Sequence, residues 1–278
     1  MKDFCIVIPV YKTELDCVET ISLNRLNTVI GDKNYDVYLV CPTDLDTTNY
    51  FKLFSNLKIK TYSPDFFKST ASYSQLCISY DFYNDFSDYK NMIIYQLDCY
   101  LFSDNIQAWC DRDYDYIGGP ILSTDCGWDT VKKNQGNEYK PYVGNGGFSL
   151  RKIEVFKEIT DPAGEFRTRY ELTDDKLKNV IFEDKYFCND LFNLFKLYTP
   201  TWQQSLYFCL DMSVDIVFNN MNWKGFPMCA HAVDKNIRYW KNVIPEFGNQ
   251  DVIDFCEKKH EDFFKLYYDE NDSTFRTA

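Results

Sequence analysis

The N-terminal third of the chain alternates short apolar runs with helical patterns. Residues 4–10 form an apolar, β-rich run and predict a first strand. From Leu15 to Val29, apolar residues then recur every three or four positions, and Gly31 ends the pattern. The spacing therefore predicts a strand followed by an amphipathic helix.

Further strands follow in the same rhythm. Residues 35–40 and 57–62 predict two strands, which close at Pro42 and Pro64. A helix is predicted over residues 69–86, and residues 91–97 form the most apolar strand of the set. Strands that alternate with helices form parallel sheets with right-handed crossovers. The expected fold class is α/β, with a Rossmann-type, mostly parallel sheet and helices on both faces.

Beyond residue 110 this rhythm breaks. Loop-like segments surround Gly118, Gly119, Pro120, Gly127 and Gly136. We expect a strand over residues 143–150, a helix over 152–159 and a mobile polar loop up to residue 179. The simplest organisation is one domain over residues 1–278, with a nucleotide-binding half at 1–110 and an acceptor-binding half at 111–278.

Two more helices are expected in the second half. The first is predicted over residues 184–197, where Phe187, Leu191, Leu194 and Phe195 share one face. The second is an amphipathic closing helix over about residues 249–268.

Composition excludes several classes of protein. Hydrophobic residues make up 45% of the chain and charged residues 26%, which disfavours disorder and coiled coils. The net charge of −12 would repel a phosphate backbone, so nucleic acid is not an expected partner. The longest apolar run has seven residues, and neither an integral membrane segment nor a signal peptide is expected.

The cysteines and histidines limit the metal chemistry. The chain has 11 cysteines and no C-x-x-C pair, so buried, reduced thiols and a cytoplasmic location are expected. With only His231 and His260, a histidine-rich zinc site is excluded. Any metal must be held largely by carboxylates, which favour magnesium or manganese.

Asp98 is the sharpest candidate for chemistry. It ends the buried strand that finishes with Gln96 and Leu97, and ligands of parallel α/β sheets bind beyond such strand ends. A buried carboxylate needs a cation or several hydrogen-bond donors. The alternative is a helix N-cap or a turn aspartate bonded to backbone amides.

Three other segments carry weaker signals. Residues 143–151 place Gly144, Gly146 and Gly147 before Arg151, which permits close approach of the backbone to a ligand or simply a turn. Glu183 and Asp184 open a predicted helix, as capping residues or with one of them as a general base. His231 is either a core histidine or a metal or phosphate ligand.

The order of these segments resembles a known superfamily. The start Ile-Val-Ile-Pro-Val-Tyr at residues 6–11 is similar to the first strand of GT-A fold glycosyltransferases that use nucleotide sugars. Gln-Leu-Asp at 96–98, Tyr-Asp-Tyr-Ile-Gly-Gly-Pro at 114–120 and Gly-Asn-Gly-Gly-Phe-Ser-Leu-Arg at 144–151 resemble an uncharacterised bacterial family of glycosyltransferase-like domains. Glu183-Asp184, Phe226-Pro227 and His231 extend the resemblance, which covers about residues 4–235.

The resemblance implies a metal-assisted, inverting sugar transfer. The donor is a nucleoside diphosphate sugar, with UDP expected, and the acceptor is a glycan or lipid-linked glycan of the bacterial surface. Mn²⁺ or Mg²⁺ would be held by Asp98, from a D-x-D motif in which Gln96 replaces the first aspartate, and by His231. Pro9, Val10, Tyr11, Gln96 and Asp98 would bind the nucleotide.

The remaining site residues follow from the same resemblance. Tyr116, Gly118, Gly119, Asn145, Gly146, Gly147 and Arg151 would contact the sugars. Helical phase cannot choose between Glu183 and Asp184, and the resemblance favours Asp184 as the catalytic base with Glu183 as its acceptor-binding or capping partner.

Two other functions remain open. Gln96 in place of an aspartate fits a nucleotide-sugar or carbohydrate binding protein without turnover. A sugar nucleotidyltransferase is disfavoured, because no glycine-rich phosphate loop follows the first strand. The expected location is cytoplasmic, with peripheral attachment to the inner membrane as an open alternative.

Overall fold

A computed structural model describes residues 1–122, 141–191, 194–212, 214, 217–218 and 221–264. Its central sheet has six strands in the order β3-β2-β1-β4-β9-β6. The first four strands along the chain, β1 to β4, are parallel, and β9 pairs antiparallel with both β4 and β6. The predicted α/β class with a mostly parallel sheet is confirmed. The strands of this sheet are β1 (Lys2–Pro9), β2 (Asp36–Pro42), β3 (Leu57–Tyr62), β4 (Tyr89–Tyr95), β6 (Tyr116–Gly118) and β9 (Phe148–Lys152).

Helices cover both faces of this sheet. On β1, Ile6 and Ile8 point into one core with Leu26 of the first helix, whereas Cys5 and Val7 point into the opposite core. This alternation is the period of two that a strand imposes. The helices are α1 (Cys17–Ile30), α2 (Thr48–Leu53), α3 (Thr70–Cys77), α4 (Tyr80–Asn84), α5 (Ile106–Cys110), α6 (Ile153–Thr160), α7 (Glu165–Arg169), α8 (Asp174–Leu177), α9 (Glu183–Lys185), α10 (Trp202–Phe208), α11 (Ile237–Trp240), α12 (Gln250–Lys259) and α13 (Glu261–Phe264).

A second, smaller sheet has three very short strands. Its order is β10 (Cys209–Leu210), β11 (Cys229–Ala230) and β5 (Tyr100–Leu101). β11 runs parallel to β10 and antiparallel to β5. A two-stranded ribbon joins β7 (Pro120–Ile121) to β8 (Tyr142–Val143).

The helix expected over residues 69–86 is two helices. The first ends at Cys77, and the Ser79 hydroxyl then accepts a hydrogen bond from Phe82 N at 3.3 Å and caps the second. A serine side chain that captures a free amide starts a new helix. The expected strand 143–150 is likewise divided, because β8 ends at Val143 and β9 begins at Phe148.

The helix expected over residues 184–197 is also wrong in extent. One helical turn at Glu183–Lys185 passes into a π-turn at Tyr186–Asp190, and residues 195–200 are not helical. Phe187 and Leu191 are buried, but Leu194 is 40% exposed, so it does not share their face.

Several smaller expectations have mixed outcomes. The polar stretch before residue 179 is not a loop throughout, because it contains α7 and α8. The closing helix breaks at His260 between α12 and α13, and its expected residues 265–268 lie outside the described residues, as do Gly127 and Gly136. Each described cysteine is a free thiol, as expected. Within the described ranges, no helix has both the length and the apolar character needed to cross a bilayer.

Candidate active site

The main cleft lies beyond the carboxyl ends of β1 and β4 and has a volume of about 640 Å³. It brings together most of the residues that the sequence pointed to, although they are up to 222 positions apart. The predicted site residues that line it are Pro9, Val10, Tyr11, Gln96, Asp98, Asn145, Gly146, Gly147, Glu183, Asp184 and His231.

His231 is the centre of a polar cluster in this cleft. Its Nδ1 lies 2.8 Å from Asp211 Oδ1, and its Nε2 lies 3.2 Å from both Asp98 Oδ1 and Gln96 Oε1. An ionised carboxylate only accepts hydrogen bonds, so Nδ1 carries the proton shared with Asp211. Nε2 is therefore the nitrogen that faces Asp98 and the cleft.

The charges in this cluster favour a positive group between the carboxylates. Burial acts to lower the pKa of His231, but the charges of Asp98 and Asp211 outweigh it and raise the pKa well above its usual value. Burial likewise acts to raise the pKa of Asp98, but His231 holds it below its usual value. The two carboxylates thus stabilise positive charge at the imidazole.

Sequence reasoning missed Asp211. It follows the two-residue strand β10, and its neighbours form no motif that marks it. Its place is set by main-chain pairing, because His231 N donates to Leu210 O at 3.0 Å. Only the small sheet shows that the ends of β10 and β11 lie side by side.

The loop at residues 144–147 lies against His231 on one side and against Glu183 on the other. A Cβ on Gly147 would lie 2.0 Å from His231 Nε2, and a Cβ on Gly146 would lie 2.9 Å from Glu183 Oε1. Side chains cannot be accommodated at such distances without displacing these groups. The two glycines therefore let the backbone pass between His231 and the acidic pair.

Asp184 faces the cleft from the other side of this loop. Its Oδ2 accepts a hydrogen bond from Gly146 N at 2.9 Å, and its Oδ1 accepts one from Lys185 N at 2.6 Å. Burial and the neighbouring charge of Glu183 raise the pKa of Asp184 to about 7. A half-buried carboxylate with such a pKa can accept a proton near neutral pH.

Glu183 and Arg151 are a buried ion pair. Arg151 is fully buried, and its Nη2 lies 2.8 Å from Glu183 Oε1, while its Nη1 donates to Tyr83 Oη at 3.0 Å. Glu183 also accepts a hydrogen bond from Ser74 Oγ at 3.1 Å. The structure thus places Arg151 beneath the cleft and outside its lining, although the sequence suggested a sugar contact.

Tyr116, Gly118 and Gly119 also lie behind the cleft lining. Tyr116 Oη donates to the main-chain oxygens of Gly144 and Asn145 at 3.1 and 2.9 Å. Gly119 O accepts from Asn145 N at 3.0 Å, and a Cβ on Gly118 would lie 2.0 Å from Asn145 O. These three residues contact the glycine loop and are not part of the cleft lining.

The turn after β1 forms another part of the cleft wall. Tyr11 is 63% exposed and lines the cleft beside Pro9 and Val10. Tyr50 Oη donates to Lys12 O at 2.6 Å and fixes the turn. An exposed ring on an anchored turn offers a flat apolar surface to a ligand.

The cluster fits a divalent cation. Asp98 Oδ1 is buried and has no hydrogen-bond partner among the described residues, because its approach to His231 lacks hydrogen-bond geometry. Ligand atoms of Asp98, Cys99 and His231 lie within 4.8 Å of one another. Carboxylate, amide and imidazole donors suit Mn²⁺, whereas Cys99 Sγ already donates to Gly147 O at 3.5 Å. Asp98 and His231 are therefore the residues that would hold the ion, with Gln96 beside them.

Comparison with known proteins agrees with this fold. The sequence model of a family described as protein of unknown function, DUF5672, matches residues 56–231. No curated protein is matched by sequence. The fold is similar to that of mouse xyloside xylosyltransferase 1, with a TM-score of 0.55, 11% identity and coverage of 82% of this chain and 97% of that one.

Two further glycosyltransferases share the fold. The galactosyltransferase LgtC, solved with donor and acceptor sugar analogues, has a TM-score of 0.51 at 11% identity, covering 81% of this chain and 86% of that one. GlyE of Streptococcus pneumoniae has a TM-score of 0.51 at 13% identity, covering 93% of this chain and 63% of that one. The chain thus has the GT-A glycosyltransferase fold that its sequence predicts.

Proposed function

This chain belongs to the family described as protein of unknown function DUF5672, and we propose from its GT-A fold and the polar cluster in its cleft that it is a glycosyltransferase. It would move a sugar from a nucleoside diphosphate sugar, with UDP as the first candidate, to a hydroxyl of a glycan or lipid-linked glycan. The observation that carries this proposal is the buried Asp98 Oδ1, which has no hydrogen-bond partner in the described part of the chain and lies beside His231 in the same cleft as Asp184.

The donor would lie between the β1 turn and the polar cluster. The exposed ring of Tyr11 is suited to stacking on the nucleobase. Lys12, Lys235 and Lys259 also line the cleft, where Lys12 is paired with Glu19 at 2.8 Å and Lys259 with Asp234 at 3.1 Å. Lys12 or Lys259 would therefore exchange a carboxylate partner for the diphosphate. Asp98 and His231 would hold Mn²⁺ or Mg²⁺, which would supply positive charge to stabilise the departing diphosphate.

Asp184 would act as the general base. Its carboxylate takes the proton of the acceptor hydroxyl, the hydroxyl oxygen bonds to the anomeric carbon, and the bond to the diphosphate breaks. Such a direct displacement inverts the anomeric configuration. Burial and the charge of Glu183 raise the pKa of Asp184 towards the working pH, and Glu183 is itself held by Arg151.

The biological setting belongs to the same proposal. A cytoplasmic enzyme that extends a bacterial surface glycan is what the sequence resemblance implies. In this setting the enzyme would need a supply of nucleotide sugars in the same compartment.

Release of UDP from a panel of UDP-sugars, in Mn²⁺ and with water or added glycans as acceptor, tests the activity. We expect release by the wild type and by the exposed control Asp254→Ala, but not by Asp98→Ala. NMR of the product shows whether the configuration is inverted. Nucleotide binding without release would instead identify a binding protein, and pyrophosphate release from UTP and a sugar phosphate would identify a nucleotidyltransferase.

A further inference from the structure

A second groove lies away from the cleft and has a volume of about 690 Å³. Its lining includes Phe102, Trp109, Tyr207, Phe226 and Met228. None of these residues lines the main cleft. The groove is therefore a separate concavity with an aromatic lining.

The three-stranded sheet connects this groove to the polar cluster. β11 has Met228 of the groove before it and His231 of the cluster after it. β10 has Tyr207 on the groove side and Asp211 on the cluster side. At the strand rise of about 3.3 Å per residue, Met228 and His231 are roughly 10 Å apart along the chain. At the groove end, a backbone hydrogen bond from Met228 N to Tyr207 O at 2.9 Å holds the two segments together.

The groove presents aromatic rings to solvent in fixed orientations. Phe226 is 50% exposed and Tyr207 is 49% exposed. Phe226 packs edge-on against Phe102, with ring centroids 4.6 Å apart, and Tyr207 packs edge-on against Trp223 at 5.1 Å. Exposed rings that are held by their neighbours lose little side-chain entropy when they bind a ligand.

Planar polar groups stand beside these rings. Asn105 Nδ2 donates to Ser103 Oγ at 3.0 Å, and Gln204 Oε1 accepts from Thr201 N at 3.0 Å, which fixes the orientation of both carboxamides. The Arg112 guanidinium lies 4.2 Å from the centre of the Trp109 ring. None of the described lining residues is acidic, although the chain has 42 aspartates and glutamates. The groove thus suits neutral or acidic ligands.

We propose that this groove is a second glycan-binding site, which holds an oligosaccharide by stacking on Tyr207 and Phe226 and by hydrogen bonds to Asn105, Gln204 and Arg112. Sugar rings combine an apolar C–H face with hydroxyls at the edge, and this matches rings bordered by carboxamides and a guanidinium. The site would hold a distant part of the glycan acceptor, so this role rests on the proposed glycosyltransferase function.

A membrane surface is the less suitable ligand. Binding to anionic lipid requires apolar side chains that project outwards beside a cluster of lysines and arginines. Here the exposed rings line a concavity, and Arg112 is the single cation among the described lining residues. The experiment must therefore distinguish binding to lipid vesicles from binding to glycans.

The test is binding to an array of neutral and uronic-acid-containing oligosaccharides, followed by calorimetry with the strongest glycan. The variants are Tyr207→Ala/Phe226→Ala, the cleft variant Asp98→Ala, and Tyr198→Ala as a control. Tyr198 is 60% exposed and lines neither cavity. We expect at least roughly tenfold weaker glycan binding by the double variant, with wild-type binding by the other two. UDP release from donor in water should be unchanged in the double variant.

Three results would overturn the proposal. The first is that the double variant binds glycans as well as the wild type does, and the second is that the wild type binds no glycan. The third is that the wild type binds 3:1 phosphatidylcholine/phosphatidylglycerol vesicles instead of glycans, and that the double variant loses this vesicle binding. Failure of the proposed enzyme activity gives a different pattern. In that case UDP-sugars are not turned over, while the array still shows binding that depends on Tyr207 and Phe226.

Discussion

Arg151 Nη2 donates a hydrogen bond to Glu183 Oε1 at 2.8 Å, where Glu183 lines the cleft and Arg151 is buried directly beneath it. Removing one partner of a buried ion pair leaves the other charge without compensation. We therefore expect Arg151→Met to lower the free energy of unfolding by about 3–5 kcal/mol, measured by urea denaturation. The exposed pair of Arg169 and Glu165 provides the control, because Arg169→Met should cost less than about 1 kcal/mol.

The double variant separates charge from packing. Arg151→Met/Glu183→Leu should recover most of the stability lost in Arg151→Met, because no unpaired charge stays buried. An equally unstable double variant would show that the hydrogen bonds of Arg151 to Tyr83 and Ser149 matter more than its charge.

The pH dependence of turnover should report Asp184. Its pKa is raised to about 7, and a general base acts only when ionised, so the rate should rise with pH through about 7 and then level off. Asp184→Asn should lower the rate by roughly 10²–10⁴-fold and lose this limb. Donor affinity should change little. Near-normal turnover of this variant would exclude Asp184 as the base.

The same shift predicts a change in stability. The folded protein holds a proton on Asp184 between the ordinary pKa of an aspartate and about 7, whereas the unfolded chain does not. Stability therefore falls as pH rises across this range. Asp184→Asn should lose this fall, so its stability relative to the wild type should be higher at pH 8 than at pH 4. The exposed Asp254→Asn should show no such dependence.

Gly147 should tolerate no side chain. A Cβ there would lie 2.0 Å from His231 Nε2, so Gly147→Ala should displace the imidazole and abolish Mn²⁺ binding measured by calorimetry. Gly248→Ala is the matched control, because the nearest atom to its Cβ is Lys241 O at 3.7 Å. Unchanged Mn²⁺ affinity in Gly147→Ala would show that His231 is not a metal ligand.

Asp211 should position His231 for the metal. It lies 2.8 Å from Nδ1 and so directs Nε2 towards Asp98. Loss of such a partner typically lowers metal affinity by about 10–100-fold. We expect this loss in Asp211→Ala and a smaller one in Asp211→Asn, which keeps a hydrogen-bond acceptor. Equal Mn²⁺ affinities in the wild type and Asp211→Ala would contradict this role.

Local patterns predicted the sheet well and the helices less well. Strand β3 has the predicted bounds 57–62, because its residues alternate between apolar and polar side chains and are bounded by turn residues. One helix prediction failed where a side chain caps a new helix, and another failed where the backbone hydrogen-bond spacing changes. Ser79 caps a new helix inside the expected one, and the π-turn after Lys185 ends another early.

The site residues were also predicted only in part, because some of them are marked by a local sequence pattern and others are placed by packing. Asp98 could be found because it comes shortly after the long buried strand β4, whereas Asp211 follows a strand of two residues. Arg151 shows the limit most clearly. Its place next to three glycines suggested a ligand contact, but only the packing of Glu183 and Tyr83 around it shows that it lies below the cleft.

Calorimetric binding of UDP in the presence and absence of Mn²⁺ tests whether Asp98 and His231 form a metal site for the diphosphate. If Asp98 and His231 hold the ion that binds the diphosphate, UDP should bind the wild type tightly only with Mn²⁺, and Asp98→Ala should bind it equally weakly with and without the ion. The exposed control Asp254→Ala should behave as the wild type. Mn²⁺-dependent UDP binding that persists in Asp98→Ala would contradict the proposed site.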